Sequence, residues 1–273
     1  MKTFSLCAFF TIIFLVAACG DRKNSQQSSP SSHQQEMTEF RTDSFKYASQ
    51  GKQGRCEIVI DYPVQDGTPA AIAVKEYIKA TLFDNSASLA PDEPEAITRA
   101  YCDQTLERLS KTLEQMGIRH VNEENMPEEG IEIRMVYQSL QVVTYEIYRY
   151  SYLTNGPHGE YSEYGVTFRR SDGKRLGSDI IRQTDEAFYA MLREGLRQYF
   201  DVTSDEQLQE ICTVDVTEPP MPTFPPYLVG NGVRFHYSIY DVCEFDDGDP
   251  TFTIPYERIA PYLSEEATQL ISY

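Results

Sequence analysis

The chain has 273 residues, with 24 lysines and arginines against 42 aspartates and glutamates, a formal net charge of −18. Such a surplus of carboxylates repels nucleic acid and anionic lipid headgroups and would steer basic partners inward at low salt, with solubility alone as the simpler and favoured reading. Apolar residues make up 41%, enough for a buried core, and beyond the first apolar run none approaches the ~20 residues of a membrane-spanning helix.

The first predicted element is a leader. Lys2 precedes an apolar run from Phe4 to Val16, and Val16-Ala17-Ala18-Cys19 follows. The run is short for a bilayer, and small residues ahead of a thiol suit a signal peptidase. The pattern resembles a bacterial lipobox, which implies removal of residues 1–18 as a lipoprotein signal peptide and lipidation at Cys19. Loss of Lys2 with the leader leaves a charge of −19. Acyl chains on Cys19 would tether the protein to a membrane without spanning it. Gly20 stands where an aspartate would favour inner-membrane retention, so the expected location is the cell envelope, lipid-anchored at the outer membrane. Residues 19–44, including Ser25 to Ser32 and the lone His33, are polar and rich in Ser and Gln. They cannot bury enough surface to offset ordering entropy and read as a flexible stalk.

Folded structure is expected from about Phe45. Cys56 to Tyr62 reads as a β-strand closed by Pro63, and the Asp66-Gly67 turn leads into a helix over 69–83 with Ala71, Val74, Ile78 and Leu82 as its buried stripe. A second helix, 93–116, carries Cys102, Leu106, Leu109 and Leu113 at helical spacing and stops at Gly117. From Ile131 the period becomes two. Ile131, Ile133, Met135 and Tyr137 form one strand, and Val143, Tyr145 and Ile147 its neighbour. Tyr148, Tyr150 and Tyr152 then place aromatics on the opposite face, so both faces of that strand are expected to be covered. A third strand, 161–170, ends at the turn Ser171-Asp172-Gly173-Lys174. Helices are expected from near Asp185 and over 204–211. Five prolines within 217–226 mark an extended connector, Val233 to Ile239 another strand after Asn231-Gly232, and 251–254 a last strand before a short terminal helix or turn. The order fits an α+β fold with a mostly antiparallel sheet and packed helices, built from two consecutive units, an amino-terminal one over 45–150 and a carboxy-terminal one over 151–273.

Four cysteines follow Cys19: Cys56, Cys102, Cys212 and Cys243. An even number in an exported chain suggests two disulfides, with three connectivities open and four buried thiols as the alternative. Cys102 faces the core from its helix and can reach a cysteine on the strand beneath, so Cys56–Cys102 is the expected pair, and Cys212–Cys243 the other.

Catalytic signatures are missing. The chain has no G-x-S-x-G elbow, H-E-x-x-H pair, Walker loop or G-x-G-x-x-G fingerprint. The acidic run from Glu244 to Asp249 is too compressed for a calcium loop and reads as a hairpin turn. His120 and His236 read as surface or hydrogen-bonded residues. His158 lies in the turn-forming stretch Asn155-Gly156-Pro157-His158-Gly159, where it either presents an imidazole to a ligand or, the favoured reading, holds a corner. No cofactor, metal site or catalytic residue is expected.

Several short motifs occur in a recognisable order. Tyr152 to Tyr161, Gly165-Val166-Thr167-Phe168, Asp172-Gly173-Lys174-Arg175-Leu176, Pro226-Tyr227-Leu228, Gly232 to Tyr237 and Thr253-Ile254-Pro255-Tyr256 together resemble the RsiV-like extracytoplasmic domain family. That family includes a lysozyme-sensing anti-sigma factor ectodomain and the non-catalytic amino-terminal part of a peptidoglycan deacetylase. Its usual Gly-Gly-Ala-His is replaced here by Asn155-Gly156-Pro157-His158. The resemblance implies a binding protein without catalytic activity, with lysozyme or another muramidase as partner. A peptidoglycan or glycan ligand stacked on tyrosines is the alternative, and a cell-wall hydrolase or deacetylase working through His158 the least favoured. The residues expected to bind are Asn155, Gly156, His158, Gly159, Tyr161 and His236.

Overall fold

A computed structural model describes residues 39–64, 67–154 and 158–271. Cys19, the leader and most of the stalk lie outside the described residues. The first strand, β1 (Thr42–Gln50), begins before the expected start of folded structure, and Phe40 ahead of it is already buried. β1 is missed by sequence because its outward residues are polar and half its positions are exposed, as on a sheet edge. β2 (Arg55–Pro63) runs antiparallel to it. Then α1 (Pro69–Phe83) and α2 (Pro94–Gln115) carry the chain back to β3 (Glu128–Gln138), which lies parallel to β2. Each helix starts on a proline, which fixes φ and lacks an N–H the first turn would leave unused. β4 (Val142–Tyr152), β5 (Glu160–Arg169) and β6 (Arg175–Leu176) follow as antiparallel neighbours, so the six-stranded sheet has the order β1-β2-β3-β4-β5-β6.

The period-2 rule assigns the faces. Ile58, Ile60, Ile131, Ile133, Tyr145, Ile147, Val166 and Phe168 point to one side, where Ala71, Val74, Ile78, Ile97 and Cys102 of α1 and α2 close a core. The expected Cys56–Cys102 disulfide forms there, with Cα atoms 5.4 Å apart. On the other side lie α3 (Glu186–Phe200), α4 (Asp205–Ile211) and a second sheet of β7 (Tyr227–Val229), β8 (Gly232–His236) and β9 (Thr251–Pro255), followed by α5 (Tyr256–Ile259) and α6 (Glu265–Ile271). Phe188, Leu192, Leu196, Val233, Phe235 and Ile254 form the centre of this second core. Gly195 lets α3 approach β9 closely, since a Cβ there would stand 2.2 Å from the Phe252 ring.

The α+β class and the mostly antiparallel sheet are thus observed. The sheet, however, crosses the expected unit boundary. β4 runs through residue 150, and β5 and β6 of the second half extend the sheet of the first. The second disulfide is a correction: Cys212 and Cys243 are separate buried thiols. The bond from Thr213 N–H to the Val242 carbonyl (2.9 Å) sets their segments side by side. Cys243 Sγ nevertheless turns to donate to the Gly248 carbonyl at 3.4 Å.

The second face of β4 and β5 is covered unevenly, which also departs from expectation. Near one end Thr144 Oγ1 donates to the Leu228 carbonyl (2.8 Å), and Thr167 Oγ1 accepts from Leu228 N–H (3.0 Å), stapling β7 across the sheet. Toward the other end the cover stops, and Tyr148 is 38% exposed.

Candidate functional site

Where the second sheet leaves the first uncovered, strand alternation puts Glu146, Tyr148 and Tyr150 of β4 beside Gly165, Glu163 and Tyr161 of β5, each directly opposite its partner. Gly165 is the floor of this region. A Cβ there would lie 2.4 Å from the Tyr227 ring, so only glycine lets that buried ring rest on the sheet. Tyr227 Oη donates to Glu146 Oε1 (2.9 Å), and Arg234 Nη1 donates to the same oxygen (2.6 Å). Burial first, and then the Glu146 carboxylate, raise the Tyr227 phenol, so it stays a donor.

One step along the strands lies a constellation of three groups from three segments. Glu163 comes from β5, His236 ends β8, and Asp249 precedes β9. One ligand atom of each lies within 4.8 Å of the others. His236 is only 3% exposed. Its Nδ1 is 2.7 Å from Thr251 Oγ1 and its Nε2 is 3.3 Å from Asp249 Oδ2. Nε2 nonetheless makes no hydrogen bond: the carboxylate is near enough for an ion pair but not for a ring N–H contact of good geometry. The Glu163 carboxyl is raised above the usual range, chiefly by burial, with Glu146 and Asp249 adding to the effect and His236 opposing it.

An aromatic rim surrounds these groups. Phe245 gathers three rings: His158 stacks on it at 3.6 Å and 22°, Tyr161 meets it edge-on at 6.2 Å, and Tyr240 tilts against it at 6.2 Å. Tyr240 is 62% exposed and holds φ at 69°, a left-handed backbone that an aromatic residue rarely adopts. Asp241 fixes that conformation by accepting from Ser238 N–H (2.8 Å), Thr223 N–H (3.1 Å) and Thr223 Oγ1–H (2.6 Å). Tyr148, Tyr161 and Tyr199 have phenols raised first by burial, with the Asp249 carboxylate contributing to all three. They remain neutral donors at physiological pH. Beside the rim an open cleft of about 450 Å³ is lined by Arg108, Glu129, Ser151, Tyr152, His158 and Glu160. Arg108 and Glu129 form a two-pronged ion pair at 2.9 and 2.8 Å across its floor.

The expected binding residues are therefore brought together in part. His158 and Tyr161 meet on Phe245, while His236 lies behind them, linked through Asp249, which influences Tyr161. His158 Nδ1 lies 3.0 Å from the Gly159 carbonyl, a local contact of the corner-holding kind, yet the imidazole itself is exposed. Gly159 permits the approach of Tyr150, whose ring a Cβ would meet at 2.5 Å. Asn155 and Gly156 lie outside the described residues. Of the two readings given for His236 the structure takes the hydrogen-bonded one, since the ring is buried with Nδ1 on Thr251. Sequence reasoning missed Glu163, Asp249, Tyr148, Tyr199, Tyr240 and Phe245. The period of two could have put Glu163 on the face of Tyr161, but nothing local indicated that Asp249 would reach them. The acidic run does form a turn, with a single helical turn at Phe245–Asp247 and Gly248 at φ +90°.

The chemistry available is neutral phenol donors, carboxylate acceptors, aromatic faces and an imidazole. Cys212 and Cys243 add no nucleophile, because burial pushes both thiols up to about 11 and keeps them protonated.

These layers and this rim define an α+β protein whose helix-backed sheet carries a smaller sheet on its other face. Solved structures share the plan. The crystal structure of a DUF3298-family member from Bacteroides fragilis has a TM-score of 0.67 at 22% identity, covering 86% of this chain and 98% of that one. That of a DUF3298-family protein from Pseudomonas aeruginosa has a TM-score of 0.55 at 16% identity, covering 85% and 97%. At these identities the likeness is one of fold. No family model and no curated protein matches the sequence.

Proposed function

We propose that the chain is a lipid-anchored envelope protein, tethered through Cys19, that binds a basic protein partner at the aromatic and acidic rim and catalyses no reaction. The observation that carries this reading is a cluster of exposed and half-buried rings beside two carboxylates: Tyr148 lies opposite Glu163 across the strands, Tyr148, Tyr161 and Tyr199 lie within the influence of Asp249, and Phe245 joins Tyr161 to Tyr240. Tyrosine faces beside carboxylates suit arginine and lysine side chains, through cation–π contact and charge-assisted hydrogen bonds. Tyrosine also gives a large contact area for little lost rotamer freedom. A formal charge of −18 steers basic proteins toward the chain at low salt. Lysozyme or another muramidase is the partner implied by the RsiV-like resemblance.

The test is retention of lysozyme on immobilised full chain at low and at raised salt. Binding that weakens with salt and falls at least tenfold in a Tyr161→Ala/Tyr240→Ala variant supports the proposal. No retention of lysozyme or of any other muramidase at low salt overturns it. A second reading rests on the same tyrosines, whose flat faces also suit sugar rings. Sedimentation with purified cell wall, lost in the same variant, would favour that glycan ligand instead.

A further inference from the structure

We propose that Glu163, His236 and Asp249 form a site for a divalent transition-metal ion of the Zn²⁺ class, which ties the second sheet to the first beneath the rim. The inference goes beyond the binding reading and shares its carboxylates: an ion held by Glu163 and Asp249 leaves the tyrosine faces and the net charge of the chain to engage a basic partner. It starts from the imidazole's hydrogen bonds. Thr251 Oγ1–H donates to the Asp249 main-chain carbonyl at 3.3 Å, so its oxygen is left to accept, and it lies 2.7 Å from His236 Nδ1. This assigns the ring proton to Nδ1, and the Nε2 lone pair then faces the carboxylates of Asp249 and Glu163. A lone pair buried against two anions is repulsive unless a cation lies between them. A proton is the bland occupant, but Nε2 lacks the aligned acceptor that a buried imidazolium requires, although it is buried. Among the described residues no lysine or arginine pairs with Glu163 or Asp249. Arg234, whose charge reaches Glu163, is held by Glu146 at 2.6 Å.

Donor chemistry selects the ion class. An imidazole nitrogen with two carboxylates suits Zn²⁺ and its neighbours, whereas Ca²⁺ and Mg²⁺ prefer all-oxygen sets. Bonds of about 2.1 Å place tetrahedral ligand atoms about 3.4 Å apart. The three donors, now within 4.8 Å of one another, need to close by no more than about 1.4 Å to reach that spacing. Asp249 and Glu163 are half-buried and open toward the tyrosines, so an ion can enter from that side, and a water completes its shell. The second-layer contact is already built, because Thr251 holds the imidazole in the ligating tautomer as metal-bound histidines require.

The experiment is calorimetric titration of Zn²⁺ into the full chain, purified in detergent and stripped with chelator, alongside thermal melts and the visible absorption of a Co²⁺ complex. One ion per chain is expected with a Kd below about 10 μM, and a melting temperature raised by about 5 °C or more at a hundredfold excess over Kd. Glu163→Gln and Asp249→Asn should each weaken binding at least tenfold and His236→Gln at least a hundredfold, while Cys212→Ala leaves it unchanged. Melts in chelator establish that each variant folds, and if His236→Gln does not, the two carboxamide variants decide. No stoichiometric uptake, or uptake equal in wild type and in Glu163→Gln and Asp249→Asn, overturns the site. Because no protein partner is present in these measurements, failure to bind lysozyme leaves them untouched, and lysozyme retention measured in chelator is likewise independent of Zn²⁺ uptake.

Discussion

Breaking the Cys56–Cys102 bridge should cost as much stability as truncating a large buried side chain. It closes a loop of 46 residues that includes α1, joining β2 to α2 at the heart of one core. For that length the chain-entropy relation gives about 13 cal/mol/K lost from the unfolded ensemble, or about 4 kcal/mol at room temperature. In a protein of this size that corresponds to a fall in melting temperature of about 8–16 °C. Equilibrium urea unfolding with and without dithiothreitol measures it directly, without altering a side chain. The reductant effect should persist in Cys212→Ala/Cys243→Ala and vanish in Cys56→Ala/Cys102→Ala. A reductant effect below about 1 kcal/mol in wild type would refute the entropic account, and one abolished in the Cys212/Cys243 variant would mean that the wrong pair had been joined.

The remaining predictions test packing, thiol state and capping. Cys212 and Cys243, buried and raised to about 11, should resist iodoacetamide at pH 7.5 for hours in the native protein and react fully in urea, two alkyl groups being found by mass spectrometry at these positions. Gly165→Ala should cost about 1–3 kcal/mol in urea unfolding, because its Cβ would drive the Tyr227 ring off the sheet. An unchanged midpoint would show that the ring has room to move. Asp185 caps α3 by accepting from Phe188 N–H (2.9 Å) and also accepts from Tyr262 Oη–H (2.8 Å). These bonds hold its carboxyl below the usual range. A lowered folded pKa stabilises above the unfolded value of about 3.9 and is lost as pH falls through the folded one. Asp185→Ala should therefore melt lower than wild type at pH 7, with the gap narrowing below about pH 4. A gap that stays constant down to pH 2 would rule out the carboxylate as its source.

Most elements were legible because each is set by short-range pattern. The 3.6 period of Ala71, Val74, Ile78 and Leu82, the 2.0 period of Ile131, Ile133 and Met135, and the prolines that open α1 and α2 all act within one helix or strand. The Cys56–Cys102 pairing was legible for a related reason, since a core-facing helix position over a neighbouring strand leaves few partners in reach. β1, β7 and α6 were not, because a polar edge strand, a three-residue strand after a proline connector and a short helix rest on tertiary contacts more than on their own pattern.

The candidate site divides the same way. Sequence by itself determined that Tyr161 opens a strand, that His158 sits on a turn, and that the chain carries a strong negative charge. Only the tertiary structure decided that His236 and Asp249 come to Glu163, that Phe245 collects His158, Tyr161 and Tyr240, and that Cys243 turns to Gly248 instead of Cys212. The physical reason is distance along the chain. Glu163 lies on the first sheet and Asp249 on the connection into the last strand of the second, and their approach is fixed by how β7 is stapled to β4 and β5 through Thr144 and Thr167, a packing choice that no local periodicity encodes.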